Sequence, residues 1–540
     1  MGTRNCAVET ICKPLRMKKT VSFLLLLLAT FVAEAQSLSV KIDPSERKQT
    51  IEYWAAADAW SGDFVGKYWS ETSKQQIADL LFSQEYDENG NPKGAGLSAW
   101  RVNLGGGTLE SPNSDIFPYH RRGECYLTLD GKNYDWGKCA GHEYWMAEAV
   151  KRGSNYFILF SNTPLVHYTL NGKGYSPDGL KANLKDDCYD DFARYLVDVA
   201  AHYMDKGWNV PYISPINEPQ DGWDTPKQEG SPWRNTELKR MMVELDKELS
   251  RDKRFDNVRM QLGETNRLKY LYESNAKYTD KFGEAEVPNW VVRNFFDEKS
   301  PYYIGNLRHL KRAVYGHAYH DVRSSVKMRN VHRLAGEECR KYNVEYNMSE
   351  WCLLPGAHKK NIEGFTKDWH CSNYADMQAG LLMSRIIYSD MVDSNTASWS
   401  YWKGMELDGN HALVALYAKE NDIFRGGDVK ANKLLYVLGN YSFFVRPNYT
   451  RVELSGADNL SEVAATAYLA PDGKRLVAVY VNNTFEKKAV EVALPKSCKI
   501  SSAKMYITDE RNDLSAHEMV KTFSFSLNAR SVTTVVYNLK

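Results

Sequence analysis

The chain is 540 residues long and carries 69 Lys and Arg against 68 Asp and Glu, a formal net charge of +1. That balance supplies no basic face for nucleic acid or an anionic membrane, so neither is expected as a partner. Hydrophobic residues make up 43% and charged residues 25%, ordinary globular values that exclude a disordered or fibrous chain. The 14 Trp and 34 Tyr are more telling. Flat amphipathic rings suit sugars, whose C–H faces pack on aromatics while their hydroxyls bond at the rim, although a share of these rings must serve core packing.

Residues 1–35 read as upstream residues plus an address. Met17-Lys18-Lys19 is a basic start, Phe23 to Leu28 with Ala29, Phe31 and Val32 an apolar core, and Ala33-Glu34-Ala35 a small-residue cleavage site before Gln36. The apolar run is too short to span a bilayer comfortably, so a cleaved signal and export to the periplasm or medium are expected, without membrane insertion. No cysteine stands just after the cleavage point to carry a lipid. Cys125, Cys139, Cys188, Cys339, Cys352, Cys371 and Cys498 follow without CxxC pairs, the wrong spacing for zinc. One bridge, such as Cys125–Cys139, fits an oxidising compartment, and a fold of this size does not require it.

Within residues 36–50 an alternating strand over Leu38–Ile42 precedes a charged turn, Asp43 to Lys48. Eight apolar runs follow: Ile51–Ala57, Ser98–Leu104, Tyr156–Ser161, Tyr212–Ile216, Arg259–Gly263, Ala313–His317, Val344–Ser349 and Ala397–Trp402. Helical spacing lies between most of them. Phe192, Tyr195, Leu196, Val199 and Tyr203 share one face of Asp190–Met204, and Lys74–Phe82, Thr236–Leu249 and Met377–Ile387 behave alike. Eight strands alternating with helices predict an α/β fold, a (β/α)8 TIM barrel over residues 51–435. From 436 to 540 short strands separated by turns replace the helices, which predicts an all-β sandwich that takes in the N-terminal strand. No linker separates the two domains, so they are expected to pack tightly, in a monomer.

Two of the runs end in carboxylates. Ile213-Ser214-Pro215-Ile216-Asn217-Glu218-Pro219 closes the fourth run, and Glu345-Tyr346-Asn347-Met348-Ser349-Glu350-Trp351 the seventh. Barrel enzymes carry their catalysts at the C-terminal ends of strands. Glycosidic cleavage needs two carboxyl groups, one protonated for the leaving oxygen and one ionised at the anomeric centre. Across a narrow barrel mouth they are expected near the ~5–5.5 Å of retaining enzymes. Glu218 must then stay protonated near neutral pH, and a dry aromatic pocket and the charge of Glu350 are expected to raise its pKa. Arg101 and Asp58, at the ends of the first two runs, read equally as ligands for the hydroxyls of the cleaved sugar or as a structural pair. Asn217 is placed to hold a sugar hydroxyl, and Glu264 to bind sugar or tune its neighbours. Tyr319 is placed to bond the nucleophile. The His317…His320 pair lacks a third ligand, so no metal and no cofactor is expected. Of Trp399 and Trp402, one is expected to be a sugar platform.

Several stretches together resemble glycoside hydrolase family 30, in the barrel clan whose acid/base follows strand four and whose nucleophile follows strand seven. They are Ala57-Asp58-Ala59-Trp60, Trp100-Arg101-Val102-Asn103-Leu104-Gly105, Phe160-Ser161-Asn162-Thr163-Pro164, Pro215 to Pro219, and Ser349-Glu350-Trp351. The resemblance extends to the C-terminal sandwich. It implies Glu218 as acid/base and Glu350 as nucleophile, with Asp58, Trp60, Arg101, Asn162, Asn217 and Trp351 around the substrate. Within the family the chain looks most like the bacterial branch related to endo-β-1,6-galactanases. A β-1,6-glucanase, a xylanase, an exo-acting β-glucosidase, β-xylosidase or β-fucosidase, and a non-catalytic carbohydrate-binding protein are the alternatives. The family's Gly-Phe-Gly-type turn is replaced here by Tyr53-Trp54-Ala55-Ala56-Ala57, which is expected to bring side chains beside the pocket of the cleaved sugar.

Overall fold

The eight apolar runs are eight parallel strands. The computed structural model describes residues 37–274, 286–354, 362–365, 376–407, 409 and 411–540, so the expected export signal and Cys371 lie outside the described residues. After strand β1 (Leu38–Thr50), strands β2 (Tyr53–Ala57), β3 (Ala99–Asn103), β4 (Phe157–Phe160), β5 (Tyr212–Ser214), β6 (Arg259–Thr265), β7 (Leu310–His317), β8 (Glu345–Trp351) and β9 (Ser398–Tyr401) pair in chain order. β9 returns to β2, with Tyr53 opposite Ser398 and Ala56 opposite Tyr401, and so closes the barrel.

Alternation along each strand sends one set of side chains in and the other out. Tyr53, Ala55, Ala99, Ile158 and Tyr212 form a small core inside the barrel. Trp54 and Trp100 point outward, Trp54 against Tyr441 at 5.6 Å and Trp100 edge-on to Phe82 at 5.0 Å. The substituted segment Tyr53–Ala57 therefore does not place its large rings beside a sugar pocket. Trp54 anchors a helix behind the barrel, and Tyr53 packs inside against Tyr156 and Tyr212.

The outer helices follow their expected spacing. Helix Glu71–Phe82 starts where Ser70 accepts a hydrogen bond from the Ser73 backbone at 3.2 Å, a cap for an otherwise orphaned N–H. Helix Tyr189–Asp205 buries Phe192, Tyr195, Leu196, Val199 and Tyr203. After β9 the chain makes a small sheet absent from the sequence reading, of β10 (Met405–Leu407), β11 (Val414–Ala418) and β12 (Gly427–Ala431). Helix Lys433–Ser442 then runs across the expected boundary at residue 436. Cys125 and Cys139 are both buried free thiols, not a bridge.

The C-terminal strands are β13 (Thr450–Ser455), β14 (Val463–Leu469), β15 (Arg475–Asn482), β16 (Lys488–Ala493), β17 (Ile500–Thr508), β18 (Ser515–Glu518), β19 (Ser524–Leu527) and β20 (Ser531–Leu539). With β1 they form one hydrogen-bonded sheet, ordered β18-β17-β20-β15-β14-β13-β1-β16-β19. Its far edge folds over: Phe525 of β19 meets Tyr480 of β15 at 5.5 Å, which makes the sandwich. β14 and β15 are buried on both faces, one toward this inner core and one toward the barrel's helices. Strand β1 continues through Asp43–Lys48, where a turn is expected, because β13 pairs with it as far as Thr50. Backbone pairing there overrides the charged side chains, which stay in solvent.

Candidate active site

Glu218 lies four residues beyond the end of β5, and Glu264 near the end of β6; both adopt φ of +42°. Left-handed backbone at a non-glycine residue costs of order 1–3 kcal/mol and persists only where surroundings impose it. Here the Glu218 N–H donates to the Glu264 carbonyl at 2.9 Å, and Trp223 Nε1 donates to the Glu218 carbonyl at 3.0 Å. The strain thus fixes the direction in which both carboxyls leave the chain.

They point into a cluster assembled from five strands. Arg101 of β3 donates to Glu350 of β8 at 2.8 Å and to Glu264 at 3.1 Å, with its guanidinium 3.9 Å over the Phe160 ring. His317, at the end of β7, sits between carboxylates, its Nδ1 2.8 Å from Glu218 and its Nε2 3.0 Å from Glu264. The same Nδ1 is 3.6 Å from Glu350. The Tyr319 hydroxyl donates to Glu350. Ser214 and Ser349 donate to Glu264 at 3.0 and 2.7 Å. Asn217 Nδ2 donates to Asn162, and Asn162 Nδ2 to Asn103, a chain of amides along one wall.

The charges resolve into roles. Burial acts to raise Glu264, but Arg101, His317 and Ser349 outweigh it and hold its carboxyl down at about 2. Burial acts to lower His317, but Glu350, Glu218 and Glu264 outweigh it and raise the imidazole to about 10. Burial pushes both Glu218 and Glu350 above the usual carboxyl range, opposed by His317 at both and by Arg101 at Glu350. Two cations, Arg101 and His317, therefore face three carboxyl groups, and one shared proton makes the cluster neutral. Glu350 has the guanidinium and the tyrosyl hydroxyl to stabilise its anion, whereas Glu218 has the imidazolium alone. Burial leads in raising Glu218, as expected of a dry pocket, while the imidazolium of His317 opposes it.

Among the described residues, Glu218, His317 and Glu350 are the one group arranged closely enough to hold a metal ion. In this structure both His317 nitrogens are engaged by carboxylates, Nδ1 by Glu218 and Nε2 by Glu264.

Several expected residues stand elsewhere. Asp58 is fully buried and turned into the framework, accepting from the Asn103 N–H at 2.8 Å and meeting His142 Nδ1 at 2.7 Å. Trp399 is fully buried behind the barrel, its Nε1 donating to Asp390 at 2.9 Å, so it is core and not a platform. Trp351 is also fully buried, edge-on to Tyr401 at 6.1 Å. Trp402 remains at the mouth, edge-on to Trp60 at 6.2 Å and to Phe160 at 6.1 Å. Sequence reading missed Phe160, and a buried Lys403–Glu406 ion pair at 2.9 Å. The first ends a strand as the other site residues do, which is a usable signal; the second belongs to the unexpected small sheet.

Residues 37–414 match the family model described as O-glycosyl hydrolase family 30. A conserved exported protein from Bacteroides fragilis superposes with a TM-score of 0.84 at 30% identity, covering 92% of this chain and 100% of that one. The catalytic domain of the family 30 xylanase C from Talaromyces cellulolyticus superposes with a TM-score of 0.63 at 18% identity, over 93% of this chain and 100% of that one, a likeness of fold. An endo-β-1,6-galactanase from Hypocrea rufa is 28% identical over 246 residues, 42% of this chain and 49% of that protein. The match thus spans about half the length of that curated relative. With the family match extending over the whole barrel, this chain belongs to O-glycosyl hydrolase family 30.

Proposed function

We propose that the protein is an exported, retaining β-glycosidase that hydrolyses a β-linked polysaccharide by double displacement, with Glu350 as nucleophile and Glu218 as acid/base. One observation carries the reading: a carboxylate oxygen of Glu218, one of Glu350 and a nitrogen of His317 all lie within 4.8 Å of one another. Inverting enzymes need ~6.5–9.5 Å between carboxyls to admit a water, and retaining enzymes ~5–5.5 Å.

In the first step a Glu350 oxygen forms a bond to the anomeric carbon, the glycosidic C–O bond breaks, and the Glu218 proton passes to the leaving oxygen. Glu350 becomes an uncharged ester as Glu218 becomes an anion. The two cations then face Glu264 and Glu218 in place of Glu264 and Glu350, so the buried cluster stays neutral throughout. In the second step water attacks the same carbon, gives its proton to Glu218, and releases Glu350. Arg101, His317, Glu264 and Tyr319 position and charge the pair. The endo-β-1,6-galactanase relative favours a β-1,6-galactan as substrate. The signal-like residues 17–35 and the exported structural neighbour favour export.

The test is a pair of variants. Glu350→Ala is expected to abolish turnover with folding intact. Glu218→Ala is expected to keep turnover of aryl glycosides with good leaving groups, and added azide to accelerate it. Equal, unrescued loss in both variants on the activated substrate would overturn the division of roles. Product profiles on β-1,6-galactan, β-1,6-glucan and xylan test the substrate.

A further inference from the structure

The catalytic cluster does not use a group of aromatic residues outside the barrel mouth. Phe64 and Tyr68 lie on helix Gly62–Tyr68 after β2, Tyr119 in the connection after β3, and Phe424 between β11 and β12. Phe64 is buried, but Tyr68 is 49%, Tyr119 42% and Phe424 46% exposed. Phe424 stands edge-on to Tyr68 at 4.8 Å and lies 6.3 Å from Tyr119. Half-exposed rings in mutual contact are unlike isolated surface aromatics and mark a binding surface more often than a core. Beside them runs a groove of about 420 Å³, a size that suits a small-molecule ligand. Leu407 and Ile423 add apolar lining, while His120 and Asp422 supply polar groups.

A chain of side-chain contacts links the groove to the candidate active site. His120 Nε2 meets Glu406 at 3.1 Å, and Glu406 accepts from the Trp60 N–H at 3.4 Å. Trp60 packs on Trp402, Trp402 on Phe160, and Phe160 beneath Arg101. Its lining comes from the segments that follow β3 and β9, with Tyr68 from the helix after β2 standing beside it, on the face of the barrel where Glu218 and Glu350 emerge.

We propose that this groove is an extended subsite that holds a pyranose unit of the polysaccharide at a distance from the scissile bond. The inference rests on the glycosidase reading above. A pyranose presents C–H faces to Tyr119 and Phe424 and hydroxyls to Asp422 and His120, which matches the mixed lining. The small sheet β10–β12, which supplies Leu407 and carries Ile423 and Phe424 on the loop between β11 and β12, then has a purpose that the eight-stranded barrel does not require.

The test compares the full-length protein with the Tyr119→Ala/Phe424→Ala variant, after circular dichroism and thermal unfolding show both folded. Steady-state kinetics are measured on whichever of β-1,6-galactan, β-1,6-glucan and xylan the wild type cleaves fastest, and on a nitrophenyl glycoside. The ratio of kcat/KM on polymer to that on the aryl glycoside is expected to fall about tenfold, through KM, equivalent to about 1.4 kcal/mol. Phe424→Trp, which keeps a ring, is expected to retain most of the ratio. An unchanged ratio, or proportional loss on both substrates, overturns the subsite. So does a wild-type dimer in sedimentation that the variant splits while the ratio holds, since the face then belongs to a second copy. Affinity electrophoresis in gels containing the same three polysaccharides reads the groove without turnover. Weaker retardation of the variant supports the subsite even if the enzyme reading fails, and equal mobility overturns it.

Discussion

Replacing His317 by Gln removes a cation wedged among three carboxyl groups and leaves an amide able to donate to one of them. Nδ1 lies 2.8 Å from Glu218 and 3.6 Å from Glu350. A unit charge at 3.6 Å in an effective dielectric of about 20 interacts with about 4.6 kcal/mol, an upper bound for a site that can relax. Even a third of that amounts to about one pK unit. The imidazolium favours the ionised form of both Glu218 and Glu350, so its loss raises both. The first displacement needs Glu350 ionised and Glu218 protonated. The acidic limb, which reports Glu350, and the alkaline limb, which reports Glu218, should therefore both move to higher pH. The bell in kcat/KM against pH on an aryl glycoside should slide upward by about one unit or more and lose height, as macroscopic behaviour of a coupled pair. A bell that stays in place, or slides to lower pH, would show that His317 is neutral in the folded protein and would refute the charge count.

Proton NMR of the first product should show the β-anomer, since two displacements restore configuration; an initial α-anomer would refute retention. Trp399→Phe leaves an oxygen of buried Asp390 without its indole donor and should cost about 1–3 kcal/mol in urea unfolding. Trp402→Phe, which keeps a ring in the same place, should instead lower kcat/KM more than it lowers stability, and the reverse pattern would exchange their roles. His142 is raised to about 9, with burial opposing and Asp58 prevailing, so its stabilising charge is complete below pH 6.5 and lost as pH rises toward 9. The fall in urea midpoint across that interval should be smaller in His142→Gln, and an equal fall would show that the pair contributes nothing to it.

The barrel is legible because its strands end as strands of such barrels do, in a short apolar run followed by a polar residue. Glu218 and Glu350 are found by that rule, and so are Arg101, Glu264 and His317. The rule does not tell which way a side chain faces, and there the sequence reading goes astray. Trp54 and Trp399 stand opposite each other in register, as do Ala55 and Ser400, so the two indoles share the outer face while the small residues turn inward. Had that register been known, Trp399 could not have been read as a platform. Asp58 fails for a related reason: its carboxyl turns back to His142, more than eighty positions along the chain. The small sheet β10–β12 escapes because a three-residue strand such as Met405–Leu407 is too short to show a period.

What no local pattern holds is the sum of charges. Arg101, Glu264, His317 and Glu350 come from four different strands and Glu218 from the loop after a fifth, and each alone reads as a polar residue at or just past a strand end. Two neighbouring carboxyls, taken by themselves, lead to the expectation that Glu350 raises Glu218 by repulsion. The fold places His317 Nδ1 2.8 Å from Glu218 and 3.6 Å from Glu350, and an imidazolium there opposes that repulsion. Glu264, held ionised by Arg101 and His317, in turn helps to keep His317 charged. On the proposed roles, the third acid fixes the net charge of the cluster at one that leaves a single proton to be shared. On this argument Glu264→Gln should release His317 from its high pKa, read by NMR titration of the imidazole as a fall from about 10, and an unchanged titration would refute it.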